Sequence, residues 1–106
     1  MHPTMNDTKW DELRLAMSSL GELHPRWRAL DLSGYLSPWD GEWYYHFRAG
    51  GYRTIEWVEI EVTSPAQDAA VLAALRAVHV AGERTEHGYR VIGHWTGAGV
   101  LDYFED

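Results

Sequence analysis

The chain has 106 residues, of which 45% are hydrophobic and 24% are charged, and its formal net charge is −7. This length and composition are typical of one globular domain and argue against a disordered chain. Because cysteine is absent, disulfide bonds, thiolate catalysis and cysteine-ligated metal sites are excluded.

Charge and hydropathy also narrow the classes of partner. Residues 54–106 hold nine acidic and three basic residues, a net charge of −6. An acidic chain repels phosphate backbones, so we expect no nucleic acid as a partner. The sequence has no run of about 18 apolar residues, so we expect no membrane span. We therefore expect that the partner is another protein with a basic surface.

Residues 1–5 are predicted to form a disordered leader, and residues 6–106 a single globular domain. The first ten residues, MHPTMNDTKW, have neither the basic region nor the apolar run of a signal peptide. Together with the absence of cysteine, this predicts a cytoplasmic protein.

The first predicted element is an amphipathic helix of about 12–13 residues. Asn6, Asp7 and Thr8 are candidate N-caps, and Gly21 can end the helix as a left-handed residue. Between them, apolar side chains recur at three- and four-residue spacing, which places them on one stripe. They are Trp10, Leu13, Met17 and Leu20.

Residues 22–41 are rich in Pro, Gly and other turn-forming residues, which predicts an ordered loop. Twenty residues without regular structure are unusual in a compact domain. We therefore expect a short hidden element, with a strand near residues 27–30.

Residues 39–62 predict an aromatic β-hairpin closed by the three-residue loop Ala49-Gly50-Gly51. In this register Trp43 lies opposite Trp57 beneath the helices, and the glutamates turn towards water. The predicted apolar face consists of Trp43, Tyr45, Phe47, Ile55 and Trp57. After Trp57 the alternation shifts by one residue, which indicates either a β-bulge between Trp57 and Val58 or a strand covered on both faces.

The second helix has a clear start. Ser64 can cap it, Pro65 suits the first helical position and Gln67 completes a capping box, and the helix is predicted to end near Val78. One side of this helix carries only small side chains, so either another element covers it or it is a surface for self-association into a homodimer. We name this side the alanine surface: Ala66, Ala69, Ala70, Ala73 and Ala77.

The last part of the chain is predicted to form a charged turn over residues 80–88, a strand over residues 89–95 and a returning strand over residues 100–104. The element order is then α-β-β-α-β-β. This order predicts an α+β fold with a four-stranded, mainly antiparallel sheet and two helices packed on one face.

No residue pattern indicates catalysis. The six histidines are scattered and lack the spacing of metal ligands. There is no nucleophile elbow and no phosphate-binding loop. Glu56, Glu59 and Glu61 beside Trp57 resemble a carbohydrate-binding groove, but charged residues on an exposed sheet edge explain them better. We therefore expect no catalytic residue, no metal and no cofactor.

Exposed Trp, Tyr and Arg side chains are typical of binding hot spots, and several aromatic residues do not follow the predicted core pattern. The leading hypothesis is a non-enzymatic protein-interaction module that neutralises a basic partner, as immunity proteins do. The predicted interaction surface consists of Trp27, Trp39, Asp40, Tyr44, His46, Tyr52, Glu56, Glu59 and Glu61.

The alternative hypothesis is a small-molecule or catalytic pocket between the first helix, the loop over residues 22–41 and the hairpin. Aromatic and titratable side chains of the loop and of the first hairpin strand would line it. These are Trp39, Asp40, Glu42, Tyr44, His46 and Arg48.

The tracts WDGEWYYHFR, GGY and IEWVEI, with QDAAVLAALRAVHV further along the chain, resemble a family of small bacterial proteins of unknown function. The resemblance covers most of residues 6–95. It implies a bacterial, cytoplasmic, single-domain protein and brings no catalytic residue with it.

Overall fold

The computed structural model describes residues 2–95, 97 and 101–105. Its helices are α1 (Asp7–Ser18) and α2 (Pro65–Val78), and a short 3-10 helix spans Gly21–Leu23. Its strands are β1 (His2–Pro3), β2 (Arg26–Asp31), β3 (Ile55–Glu61), β4 (Gly82–Arg84), β5 (Gly88–Ile92) and β6 (His94–Trp95).

The main sheet has four antiparallel strands in the order β2-β3-β5-β4, and β1 pairs separately with β6. The order helix, strands, helix, strands confirms the predicted α+β fold class. The two helices contact each other, and their buried residues join alternate sheet residues in one core. That core contains Trp10, Leu13, Met17, Val58, Ile60, Val71, Leu75, Tyr89 and Val91.

Both helices begin where their capping residues predict. Asn6 Oδ1 accepts a hydrogen bond from Lys9 N at 2.8 Å, and Ser64 Oγ accepts one from Gln67 N at 3.1 Å. The Gln67 side chain reaches back to Thr63 N at 2.8 Å, one residue before the cap. No helix among the described residues is long and apolar enough to cross a membrane.

The predicted hairpin is wrong in its first strand. Residues 43–54 contain bends and turns and form no strand. The Glu42 carboxylate accepts hydrogen bonds from Tyr45 N (2.6 Å) and His46 N (2.8 Å), so these amides are satisfied locally and not by a β-ladder. Trp43 and Phe47 are buried one helical turn apart, whereas Tyr45 is 64% exposed.

The two indoles expected side by side therefore lie on opposite sides of the sheet. Trp43 is buried in the core and donates from Nε1 to Pro25 O at 2.8 Å. Trp57 directly precedes Val58 in β3, and Val58 points into the core, so the Trp57 side chain points to the other side of the sheet. The second predicted hairpin strand is confirmed as β3.

The place of the predicted hairpin strand beside β3 is taken by β2. This is the short strand expected near residues 27–30, and it extends over Arg26–Asp31. The register shifts between Leu30 and Asp31, where Glu56 is left without a partner. The irregularity expected between Trp57 and Val58 thus lies one residue earlier. The free edge of β2 pairs with the following loop, since Trp27 and Asp40 exchange backbone hydrogen bonds at 2.8 Å.

The C-terminal part also differs from the prediction. The expected turn over residues 80–88 contains β4, and β5 ends at Ile92 before β6. Of the expected returning strand, Val100 lies outside the described residues. Tyr103 forms a single bridge with Ala81, and Phe104 N donates to Val80 O at 2.9 Å. A short cross-strand contact therefore replaces the expected strand.

Residues 2–5 do not agree with the disordered leader that we predicted. His2 pairs with Trp95 and Pro3 pairs with His94. Thr4 N donates to Gly93 O at 2.9 Å, and Met5 packs against the core. The N-terminal segment is thus held by the end of the chain's last described strand, while Met1 lies outside the described residues.

The turn over residues 43–54 makes a testable prediction about stability. Trp43→Ala should lower the free energy of unfolding by about 3–5 kcal/mol, because the indole is buried and hydrogen-bonded. Tyr45→Ala is the matched control and should change it by less than about 0.5 kcal/mol. Urea denaturation of the two variants measures both values, and comparable losses would favour a hairpin with both rings on one face.

Candidate functional site

The side of the main sheet that faces away from the helices forms a charged and aromatic surface, which we call the outer face. Its residues alternate with the core residues along each strand. Cross-strand pairing places Arg28 of β2, Glu59 of β3, Arg90 of β5 and Glu83 of β4 next to one another. This central row crosses all four strands with alternating charge.

Ion pairs neutralise the carboxylates at the middle of the outer face. Arg28 Nη2 lies 2.7 Å from Glu59 Oε1, and the Glu59 side chain is 2% exposed. Arg26 binds both oxygens of Glu61, at 2.8 Å from Nε and 2.9 Å from Nη2. This hydrogen bonding holds the pKa of Glu61 below its usual value.

The pairing corrects our expectation for two site residues. We expect from the sequence that the carboxylates of Glu59 and Glu61 face water without an ion-pair partner. Instead each is satisfied by an arginine across the β2–β3 pair. A buried, paired carboxylate has little attraction left for an external cation.

Two indoles cover arginines of the outer face. The guanidinium carbon of Arg28 lies 4.5 Å from the centre of the Trp39 ring, and that of Arg90 lies 4.2 Å from the centre of the Trp57 ring. Both indoles are half-buried. Arg90 Nε is buried without a hydrogen-bond partner among the described residues. Stacking with the indoles thus immobilises side chains that would otherwise be flexible.

The rim of the outer face is acidic along β4. The side chain of Glu83 is 61% exposed and lies 3.5 Å from Arg90. Gly82 N donates to Asp102 O at 3.0 Å, which holds the exposed Asp102 beside the same strand. Glu86 is exposed in the turn between β4 and β5. On the opposite side the face ends with the exposed guanidinium of Arg26.

Two predicted site residues are in the core instead. Trp27 is buried on the helix side of β2 and donates from Nε1 to Glu42 O at 3.0 Å. Tyr52 is buried and donates from its hydroxyl to Asp11 Oδ1 at 2.6 Å. Burial, with this hydrogen bond, raises the pKa of Tyr52 to about 12. Neither side chain lies on the outer face.

Three further predicted residues belong to the turn that follows β2. The Asp40 carboxylate accepts from Glu42 N at 2.8 Å and lies 2.9 Å from His46 Nδ1, so its role in the turn is structural. Tyr44 is exposed, and the Arg14 guanidinium lies 4.9 Å from its ring centre. These residues are not part of the outer face.

The other predicted residues are Glu56 and the alanine surface. Glu56 occupies the irregular position of β3, and its carbonyl accepts from Gly93 N at 2.7 Å. On α2, Ala70 is partly buried, while Ala66, Ala69, Ala73 and Ala77 are exposed. Self-association through these residues stays a prediction.

The structure also has a cavity where the alternative hypothesis places one. A space of about 300 Å³ lies between the end of α1 and the segment that leads to Trp43. Of the six residues predicted to line it, only Glu42 and Tyr44 do so, with Ser18, His24, Gly41 and Trp43. Among the described residues, no group of three or more His, Asp or Glu side chains could hold a metal ion.

Sequence reasoning missed the arginines of the outer face, although a signal for them is present. Arg26 and Arg28 flank Trp27 with the same two-residue spacing as Glu59 and Glu61 around Ile60. Alternate charges of opposite sign on two strands favour direct cross-strand pairing. Comparing these two tracts would have indicated that β2 and β3 are neighbours.

The two ion pairs between β2 and β3 have similar N–O distances but different burial, which gives a comparison of the two carboxylates. Glu59→Gln should lower the free energy of unfolding by about 1–3 kcal/mol, because it leaves Arg28 without its buried counter-charge. Glu61→Gln should cost less than about 1 kcal/mol, because Arg26 is largely exposed. Urea denaturation at neutral pH measures both, and an equal effect would show that burial of Glu59 is energetically unimportant.

Tyr52 predicts a loss of stability at alkaline pH. An unfolded chain releases this proton near pH 10, whereas the folded protein retains it until about pH 12. Stability from Tyr52 is therefore complete below pH 10 and is lost as the pH rises towards 12, by roughly 2–3 kcal/mol. Urea denaturation between pH 9 and 12 should show this fall. Tyr52→Phe should reduce the fall by this amount and leave the part due to Tyr89, whose pKa is also raised by burial and by its hydrogen bond with Asp68. Tyr45→Phe is the exposed control, and a fall as large in Tyr52→Phe as in the wild type would assign the effect to another group.

Comparison with known proteins gives one informative result. No curated protein and no solved structure matches the chain. The model of a family of unknown function, DUF6678, matches residues 1–97, which include every described element. The chain belongs to this family of unknown function.

Proposed function

We propose that the chain is a non-enzymatic protein-binding domain that uses its outer face to bind a protein with a basic surface. The observation that carries this proposal is the pair of half-buried indoles, Trp39 and Trp57, each stacked on an arginine. Trp and Arg are the residues most enriched in binding hot spots.

The stacked side chains favour binding because they are already ordered. A long arginine side chain that becomes fixed on binding loses conformational entropy. Arg28 is held between the Trp39 ring and the Glu59 carboxylate, and Arg90 is held against Trp57. A partner that packs on these side chains therefore causes little further loss of side-chain conformational entropy.

The charge of the chain supports a basic partner. The net charge is −7, yet the middle of the outer face is neutralised by its own ion pairs. The exposed carboxylates of Glu83, Glu86 and Asp102 lie at its rim. Rim charges act mainly on the rate and selectivity of association, while the central aromatic groups hold the complex together.

The absence of cysteine fits a reducing compartment, and we propose the cytoplasm as the place of binding. An acidic domain that covers a basic protein would act by occupying its surface, which is the way an immunity protein neutralises its target. This function requires a stable complex and no turnover.

Affinity capture tests this proposal. The tagged chain is used as bait in an extract of the cells that express it, at about 0.15 M and about 0.5 M salt. We expect a basic protein to be captured at the lower salt concentration and to be retained less at the higher one. Trp39→Ala and Trp57→Ala should each reduce its capture at least about tenfold, as expected for hot-spot residues.

The matched control is Tyr35→Ala, which removes an aromatic ring that is 64% exposed and lies away from the outer face. It should leave capture unchanged. Circular dichroism of each variant verifies that the fold is retained. The proposal is wrong if no protein is captured, if the captured protein is acidic, or if both Trp variants retain it as well as the wild type does.

A further inference from the structure

An apolar groove opens along β2 on the side opposite to the outer face, and we call it the edge groove. Its volume is about 280 Å³, close to the lower end of the range for small-ligand sites. Trp27, Ala29 and Asp31 line it from alternate positions of β2, and the exposed ring of Tyr35 lies at its rim. The remaining lining residues are Ser37, Phe47, Gly50, Gly51 and Ile55.

The buried walls of the edge groove favour an aromatic ring. Trp27 and Phe47 are buried, and their ring centres are 5.0 Å apart at an interplanar angle of 90°. A further ring placed in the groove can extend this edge-to-face packing. Gly50 and Gly51 have no side chains to fill the space, and a Cβ built on either would have nothing within 4 Å.

Asp31 gives the edge groove its charge. Among the described residues that line the groove, Asp31 and Tyr35 have ionisable side chains, and of these two only Asp31 carries a charge at neutral pH. Ser33 N donates to Asp31 Oδ2 at 2.8 Å. Hydrogen bonds from Ser33 and Thr54 keep the pKa of this carboxyl below its usual value, so the carboxylate is ionised at neutral pH.

We propose that the edge groove binds small aromatic amines, with one ring against Trp27 and Phe47 and a protonated amino group beside Asp31. In such a ligand a short alkyl chain joins the ring to the amine. The site is separate from the outer face, so this inference goes beyond the proposed protein-binding function and does not depend on it.

Titration of the isotope-labelled chain followed by NMR tests the inference with three ligands that share one ring: phenethylamine, 2-phenylethanol and phenylacetate. Phenethylamine should shift the amide signals of Asp31, Ser37, Gly50 and Gly51, with a Kd of about 1 mM for so small a ligand. The neutral alcohol should bind about two- to fivefold more weakly, since a partly exposed ion pair contributes modestly. The anionic ligand should bind most weakly.

Two variants separate the apolar and the electrostatic contributions. Asp31→Asn should make the amine and the alcohol bind equally, whereas Glu12→Gln, which changes an exposed carboxylate of α1 outside the groove, should leave the preference intact. Ala29→Leu should fill the groove and abolish binding of all three ligands. If Ala29→Leu fails to fold, the Asp31→Asn comparison decides alone.

Three results would overturn the inference. The first is the absence of any shift at 10 mM phenethylamine, about ten times the expected Kd. The second is a preference for the amine that survives in Asp31→Asn. The third is a set of shifts that maps to residues outside the edge groove.

Discussion

The pairing of Arg28 with Glu59 fixes how β2 lies against β3, and the division of the molecule into a core and an outer face follows from it. With Arg26 opposite Glu61 as well, both ion pairs form in one register. A slip by two residues in either direction keeps only one pair, and a slip by one residue turns every side chain to the other side of the sheet. Glu59 is almost completely buried, so leaving its carboxylate without an arginine would be costly. The register that satisfies this carboxylate is also the one that sends Trp27 and Ala29 into the core.

Local signals in the sequence were sufficient for the helices and for the fold class. Ser64 and Pro65 predicted the start of α2 because capping depends on residues that are close in the chain. The prediction of the hairpin was wrong because strand pairing depends on residues that are far apart in the sequence. The alternation of Trp43, Tyr45 and Phe47 fits a strand, yet Trp43 and Phe47 are also spaced as neighbours on one helical turn. The Glu42 carboxylate stabilises the turn because it accepts hydrogen bonds from two backbone amides. The spacing of apolar residues gives no information about these hydrogen bonds.

The candidate site was predicted less well than the fold, and for the same reason. Trp27 and Tyr52 were assigned to a surface because they did not fit the predicted hairpin core, and the true core contains both. The sequence predicts that Glu59 and Glu61 face the solvent, since it does not show which arginines lie across the strand pair. Trp39 lies half-buried over Arg28 on the outer face, and Tyr44 is exposed in the turn that follows β2. The charge of a residue is visible in a sequence, but whether that charge is free depends on its neighbours in space.

This distinction changes what the net charge can mean for binding. Among the residues that the structure describes, five carboxylates form ion pairs with arginines: those of Asp11, Glu59, Glu61, Asp68 and Glu83. The net charge of −7 therefore acts mainly at a distance, through an electrostatic field that attracts basic molecules. Salt screens this field. At contact distance the outer face offers indoles and arginines whose charges are already balanced. Long-range attraction and short-range packing thus reside in different groups. Raising the salt concentration should weaken the field but not the packing on Trp39 and Trp57 that we propose for the complex.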